Sequence, residues 1–251
     1  MSMVIALAGK GGTGKTTLAA LIIRYLKNRG DGAILAVDAD PSSNLAQPLG
    51  LTPSVTIGSM KETFLKGRDL LPAGIPKETY LELKLHELLV ESERVDLLTM
   101  GRPEGRGCYC YVNNILRKYL DLLTENYAYV VIDNEAGMEH LSRSIVRDVD
   151  ILLITTDPSM SGIRSAKKVK DLVIDLELSV KKQYIIVDRV IWGLSHHLLA
   201  EAERLGLILW ETIPEDAMIS EYDLIERPLI QLPEDSSAVR AVNRIMECLL
   251  V

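Results

Sequence analysis

The first residues able to do chemistry are Gly9-Lys10-Gly11-Gly12-Thr13-Gly14-Lys15-Thr16-Thr17. They fit a phosphate-binding spacing: glycine, four residues, glycine, lysine, hydroxyl residue. The glycines let backbone N–H groups turn toward phosphate oxygens, and a helix starting there adds its dipole. Gly11, Gly12, Thr13, Gly14, Lys15, Thr16 and Thr17 are therefore the expected cradle for ATP. Lys15 should reach the β and γ phosphates, and the Thr16 hydroxyl should ligate Mg²⁺. Two carboxylates at spacing two, Asp38 and Asp40 in Val37-Asp38-Ala39-Asp40-Pro41, suit a metal–phosphate site. The same Asp-Pro is also an ordinary turn signal.

A second chemical group is Gly107-Cys108-Tyr109-Cys110, placed before an expected helix near Tyr111. A helix N-terminus favours thiolates. Two thiolates are half of a tetrahedral S₄ site, and a two-fold dimer would present the pair twice. Nickel and zinc both suit such a site. The competing reading is two cysteines acting as small apolar residues. A paired C-x-C in a glycine-rich loop favours metal.

These residues need elements to hold them. Short apolar runs at Val4–Ala8, Ile34–Val37, Val95–Thr99, Tyr129–Ile132, Ile151–Ile154, Tyr184–Val187 and Leu207–Trp210 read as strands. Most lack polar alternation, as strands covered on both faces do. Helices are expected at Thr17–Arg29, Ser165–Leu178, Ser195–Leu205 and Ser236–Leu250. The alternation predicts a single α/β domain over residues 1–251, a doubly wound, mostly parallel sheet with helices on both faces. Residues 52–128 form an insertion at the ligand edge that includes the C-x-C. Within it, Thr52–Glu93 is expected to hold loops and short helices.

A chain of 251 residues can bury a full core, and 47% hydrophobic with 25% charged residues is a globular composition. The net charge of −7 argues against nucleic acid as the main partner. No apolar run is long enough to span a bilayer, and Met1-Ser2-Met3-Val4 lacks a signal peptide's basic start. A cytoplasmic protein without membrane attachment is expected.

The extra lysine, Lys10, makes the loop resemble the deviant Walker A loop of the MinD/ParA/nitrogenase-iron-protein ATPases. That resemblance implies a nucleotide-dependent homodimer in which Lys10 reaches the partner's nucleotide. Lys10, Lys15 and Asp40 would then be catalytic, with Asp40 orienting the attacking water. Asp38 would hold Mg²⁺ through water. Val130-Val131-Ile132-Asp133, followed by Asn134-Glu135-Ala136-Gly137, looks like Walker B with switch II. Asp133 would stand behind the magnesium and Gly137 near the γ-phosphate. For the base, Asp188 and Arg189 stand where the class has an adenine-reading asparagine and its neighbour. Ile213-Pro214-Glu215-Asp216 resembles the class's loop over the base, implicating Pro214 and Asp216. A carboxylate at 188 can accept from the adenine N6 amine, and also from guanine's N1 and N2 donors.

The C-x-C, with Glu135-Ala136-Gly137-Met138-Glu139-His140-Leu141, resembles the CooC-type ATPases that help insert nickel into carbon monoxide dehydrogenase. The similar ATPases that mature acetyl-CoA synthase fit equally. The resemblance implies a metal ion shared by the cysteine pairs of two subunits, and a client nickel enzyme. Glu135 departs from the smaller residue of that family. Glu139 and His140 could add ligands or read the nucleotide state, but a plain helix surface is favoured. His196-His197 reads as surface, and Cys248 as packed within the last helix.

Two alternatives remain. One is electron transfer in the manner of nitrogenase iron protein, whose cluster cysteines are far apart in sequence. The other is positioning in the manner of MinD or ParA, which use a basic membrane helix or a basic DNA face.

Overall fold

Strands form at the seven places expected, and all pair in parallel. They are β1 (Met3–Gly9), β2 (Ile34–Ala39), β3 (Val95–Thr99), β4 (Tyr129–Asn134), β5 (Asp148–Thr156), β6 (Ser179–Val190) and β7 (Leu209–Pro214). The computed structural model describes residues 2–53, 55–65, 76–101, 121, 123–135 and 148–250. Cys108, Cys110, Gly137, Glu139 and His140 lie outside the described residues. The sheet order is β3-β2-β4-β1-β5-β6-β7. The chain leaves β1 for β2 and β3 on one side, returns to β4, then crosses to β5 on the other. β1 therefore ends where connections diverge, the place where open α/β sheets bind ligands.

The unbroken apolar runs are explained by two cores, one on each face. Val4, Ala6 and Ala8 of β1 enter one core, and Ile5 and Leu7 enter the other. Helix α5 (Met160–Asp175) covers the first face with Ile163, Ala166 and Val169. Helices α1 (Lys15–Arg29) and α8 (Ser237–Leu249) cover the second with Leu18, Ile22, Val242 and Ile245. Each large aliphatic side chain so buried contributes roughly 1.5–3 kcal/mol over leaving it in water. Between β2 and β3 lie α2 (Ala46–Leu49), α3 (Ile57–Leu65) and α4 (Lys77–His86); the last two are the short helices expected in Thr52–Glu93.

Boundaries differ from the sequence reading for identifiable reasons. α5 starts before the expected Ser165, because the Ser159 hydroxyl accepts from the Gly162 N–H at 2.9 Å and caps the helix there. β6 is longer than Tyr184–Val187, since its polar first half pairs with β5 from Asp148↔Ser179 onward. β7 runs later than Leu207–Trp210, and its pairing with β6 begins at Ile185↔Leu209. α6 (His196–Arg204) and α8 begin on Ser195 and Ser236, whose hydroxyls accept backbone N–H groups. Cys248 is exposed, not packed. In α8 the inward positions are Ile245, Met246 and Leu249, and helical phase turns Cys248 outward. His196 and His197 are exposed, as expected. Among the described residues no helix is long and apolar enough to cross a membrane.

Candidate functional site

β1 ends at Gly9 (φ 152°), pressed against β5. A Cβ there would meet the Thr155 and Thr13 hydroxyls at 2.7 and 2.9 Å. Only glycine fits so close an approach. The Thr13 hydroxyl donates to the Lys10 carbonyl at 2.7 Å and lies 2.9 Å from the Thr155 hydroxyl, bracing the loop on β5. Gly14 (φ 81°) then starts α1 in the left-handed region. The buried Lys15 ammonium donates to the Gly9 and Lys10 carbonyls, each at 3.2 Å. Its burial lowers its pKa, while Asp133 and Asp40 pull it back up. The Lys10 side chain is exposed and does not line the cleft above the loop.

Beneath the loop two carboxylates face each other across strands, since Asp38 of β2 pairs in register with Asp133 of β4. Both are fully buried. The Thr16 hydroxyl donates to Asp133 Oδ2 at 2.6 Å, and Asp133 Oδ1 has no partner among the described residues. Asp38 accepts from the Leu45 N–H at 2.9 Å and the Asp40 N–H at 3.2 Å. Burial pushes Asp133 up to about 7, with Thr16 pulling down and Asp38 pushing up. Burial likewise lifts Asp38 to about 6, against its two backbone hydrogen bonds. Asp40 is half-buried, and its Oδ1 accepts from the Ser42 N–H at 2.7 Å.

These residues fit a magnesium ion. An unpartnered carboxylate oxygen, a hydroxyl beside it and surplus buried negative charge are what a small divalent cation would relieve. Among the described residues no group of three or more His, Cys, Asp and Glu side chains could hold a metal ion. That agrees with a magnesium held by Thr16, one or two carboxylates and substrate phosphates.

Above the loop opens a cleft of about 770 Å³. Gly11, Gly12, Gly14, Lys15, Thr16, Thr17 and Asp40 line it along the phosphate loop, and Asp188, Arg189, Pro214 and Asp216 line it from β6, β7 and the turn that follows, a side that begins against Gly12 and Gly14. One cavity thus unites most of the residues singled out in the sequence. Asp188 lies two residues before the end of β6, and its side chain is only 13% exposed. Burial lifts it to about 6, against the Arg189 N–H and the Arg189 charge. Its carboxylate abuts Gly14 so closely that a Cβ on Gly14 would overlap it. Arg189 Nη2 donates to the Gly12 carbonyl at 2.5 Å.

Asp216 does a second task. Oδ1 accepts from the Met218 N–H at 3.0 Å, capping α7 (Ala217–Leu224). Oδ2 accepts from the Ser236 and Ser237 hydroxyls at 2.7 and 3.0 Å and from the Ala238 N–H at 3.1 Å. Burial disfavours its charge, but these bonds outweigh it and hold the carboxyl below its usual range.

Sequence reasoning missed Asn44, Gln47, Ile219 and Asp223, which also line the cleft. Asn44 and Gln47 carry no motif; they arrive because Asp38 holds the Leu45 N–H and bends the chain over the loop. Asn134 was also missed. Its amide donates to the Leu7 carbonyl at 2.7 Å, tying the ends of β4 and β1.

Residues 4–229 match the CobQ/CobB/MinD/ParA nucleotide binding domain. The chain belongs to this nucleotide-binding family. Family members most similar in sequence include an uncharacterized ATP-binding protein of Methanocaldococcus jannaschii. It is 44% identical and covers 98% of this chain and 97% of its own. The carbon monoxide dehydrogenase accessory protein CooC of Rhodospirillum rubrum is 31% identical over 69% of this chain and 70% of its own. Among solved structures, the MinD cell division protein of Aquifex aeolicus superposes with a TM-score of 0.71 at 26% identity, covering 99% of this chain and 97% of that one. As a CobQ/CobB/MinD/ParA-family protein with its phosphate loop in place, the chain is an ATP hydrolase.

Proposed function

We propose that the chain is an ATP-driven metallochaperone. Its homodimer would bind nickel or zinc through Cys108 and Cys110 of both subunits and pass the metal to a client enzyme, carbon monoxide dehydrogenase or acetyl-CoA synthase. The observation that carries this reading is Cys108-Tyr109-Cys110 in a family member that has the accessory protein CooC among its relatives. In the chain the pair follows β3, whose described end lies next to Asp38. There the Met100 N–H donates to the Asp38 carbonyl at 2.8 Å.

The geometry supports hydrolysis as follows. A water attacks the γ-phosphorus, forming a P–O bond as the bond to the β-phosphate oxygen breaks. Loop N–H groups and the Lys15 ammonium offset the charge growing on the phosphate oxygens. Asp40, at the rim of the cleft, orients the water. The exposed Lys10 would reach outward to a partner's nucleotide. Thr16, Asp38 and Asp133 would hold Mg²⁺, which neutralises phosphate charge when bound. Metal transfer is coupled to this cycle only if the nucleotide states of the dimer bind metal differently.

The competing reading is a positioning ATPase, favoured by the superposition of the Aquifex MinD structure over 99% of this chain. Helix α8 itself offers no free apolar face, because Val239, Val242, Ile245 and Met246 are committed to the core. Anaerobic size-exclusion chromatography with metal analysis separates the readings. The wild type with ATP and nickel should run as a dimer carrying about one metal per two chains. The Cys108→Ser/Cys110→Ser variant should carry none. Equal metal content in both proteins sinks the metallochaperone reading. Co-sedimentation with liposomes or DNA in ATP would then support positioning.

A further inference from the structure

A triphosphate held at the loop leaves its base only one way to go, along the cleft toward the ends of β6 and β7. There the wall is Asp188, Arg189, Pro214 and Ile219. Asp188 lines this cleft at a distortion, with its carboxylate against Gly14. The register of β6 against β7 slips between Val187 and Val190, and Arg189 takes φ 56°, left-handed for a residue with a side chain. Bulges re-aim side chains, and such backbone strain clusters at ligand clamps.

This carboxylate is short of donors. It takes the Arg189 backbone N–H, but Arg189 Nε stands 3.7 Å away, and that guanidinium is engaged by the Gly12 carbonyl. No other side chain among the described residues donates to it. A mostly buried carboxylate with unfilled acceptor capacity calls for donors from whatever occupies the cleft. Near neutral pH it is ionised and can only accept.

Adenine meets such a group poorly. Its N6 amine donates, but the neighbouring N1 lone pair would face the carboxylate. Guanine presents two adjacent donors, N1–H and N2–H, that match two carboxylate oxygens. We propose that Asp188 reads the base and that this cleft binds guanine nucleotides at least as tightly as adenine nucleotides. The inference rests on the cleft being the nucleotide site.

The test is displacement of a fluorescent N-methylanthraniloyl nucleotide from the full chain, with magnesium, by GTP, ITP and ATP. GTP should compete as well as ATP or better. ITP, which lacks the N2 amine, should be about tenfold weaker than GTP. Asp188→Asn offers one donor and one acceptor in place of two acceptors. It should weaken GTP about tenfold, strengthen ATP relative to it, and admit xanthosine triphosphate. ATP outcompeting GTP in the wild type, or ITP matching GTP, overturns the proposal; both readouts need no variant. If neither ATP nor GTP displaces the probe, the nucleotide reading of the cleft itself fails, a different result from ATP binding alone.

Discussion

The two ends of the cleft are built differently. The phosphate end is backbone and buried charge. Gly9 and Gly14 permit the turn, β1 and β4 fix it, and Lys15, Asp38 and Asp133 sit sealed beneath it. The far end is side chains on a bulged strand and on α7, a helix with no buried residue at all. One end is over-determined by the core and tolerates little. The other is a half-exposed wall whose chemistry can change without disturbing the sheet. On the reading proposed above, phosphate binding belongs to the first and base choice to the second.

The largest test of that contrast is Lys15→Ala. It removes a cation buried beside the phosphate-end carboxylates, and phosphate release should fall by about 10²-fold or more. Turnover within about threefold of wild type would mean that the loop's N–H groups alone carry the charge.

A middle-sized effect is expected at the far end from pH. Asp188 has its folded pKa raised to about 6, above the unfolded value near 3.9. The folded state therefore holds this proton more tightly than the unfolded chain does. Stability is highest with the proton on and is lost as pH rises from about 4 through about 6, on the order of 2–3 kcal/mol. Asp38 and Asp133 act in the same direction, so the informative quantity is the difference between wild type and Asp188→Asn. Paired thermal melts should show the wild type losing more on going from acid to neutral pH. Parallel curves would place Asp188 in a better-solvated setting than its burial indicates.

The smallest effect separates the two tasks of Asp216. As a cap for α7 and an anchor for α8, Asp216→Ala should cost about 1–2 kcal/mol of stability, with nucleotide affinity within about threefold of wild type. An affinity loss of about tenfold at unchanged stability would make Asp216 a base contact first.

This division also governs what the sequence could reveal. The phosphate end was legible because its chemistry is local: Gly9 through Thr16 are consecutive, and Asp38 and Asp133 each end an apolar run. The sheet was legible for a related reason, since strands covered on both faces show as unbroken apolar stretches. The far end depends on events that no short window contains. Asp216 carried a loop motif, but its bonds to Ser236, Ser237 and Ala238 join segments twenty residues apart or more. Asn44 and Gln47 reach the cleft through one hydrogen bond from Leu45 to Asp38. The polar first half of β6 hid a strand, because its exposed residues carry no period that marks burial.

The placement of β1 has a consequence for the order in which this protein can come into being. β1 is made well before its neighbours β4 and β5, paired as Met3↔Tyr129 and Ile5↔Ile151. A ribosome must release more than a hundred further residues before either edge of β1 can be closed. Until then its apolar residues and the glycine loop wait as an open template. Contacts this distant in sequence form slowly, and unpaired strands invite misassembly. The site read most readily from one short stretch of sequence therefore waits on strands made far downstream of it.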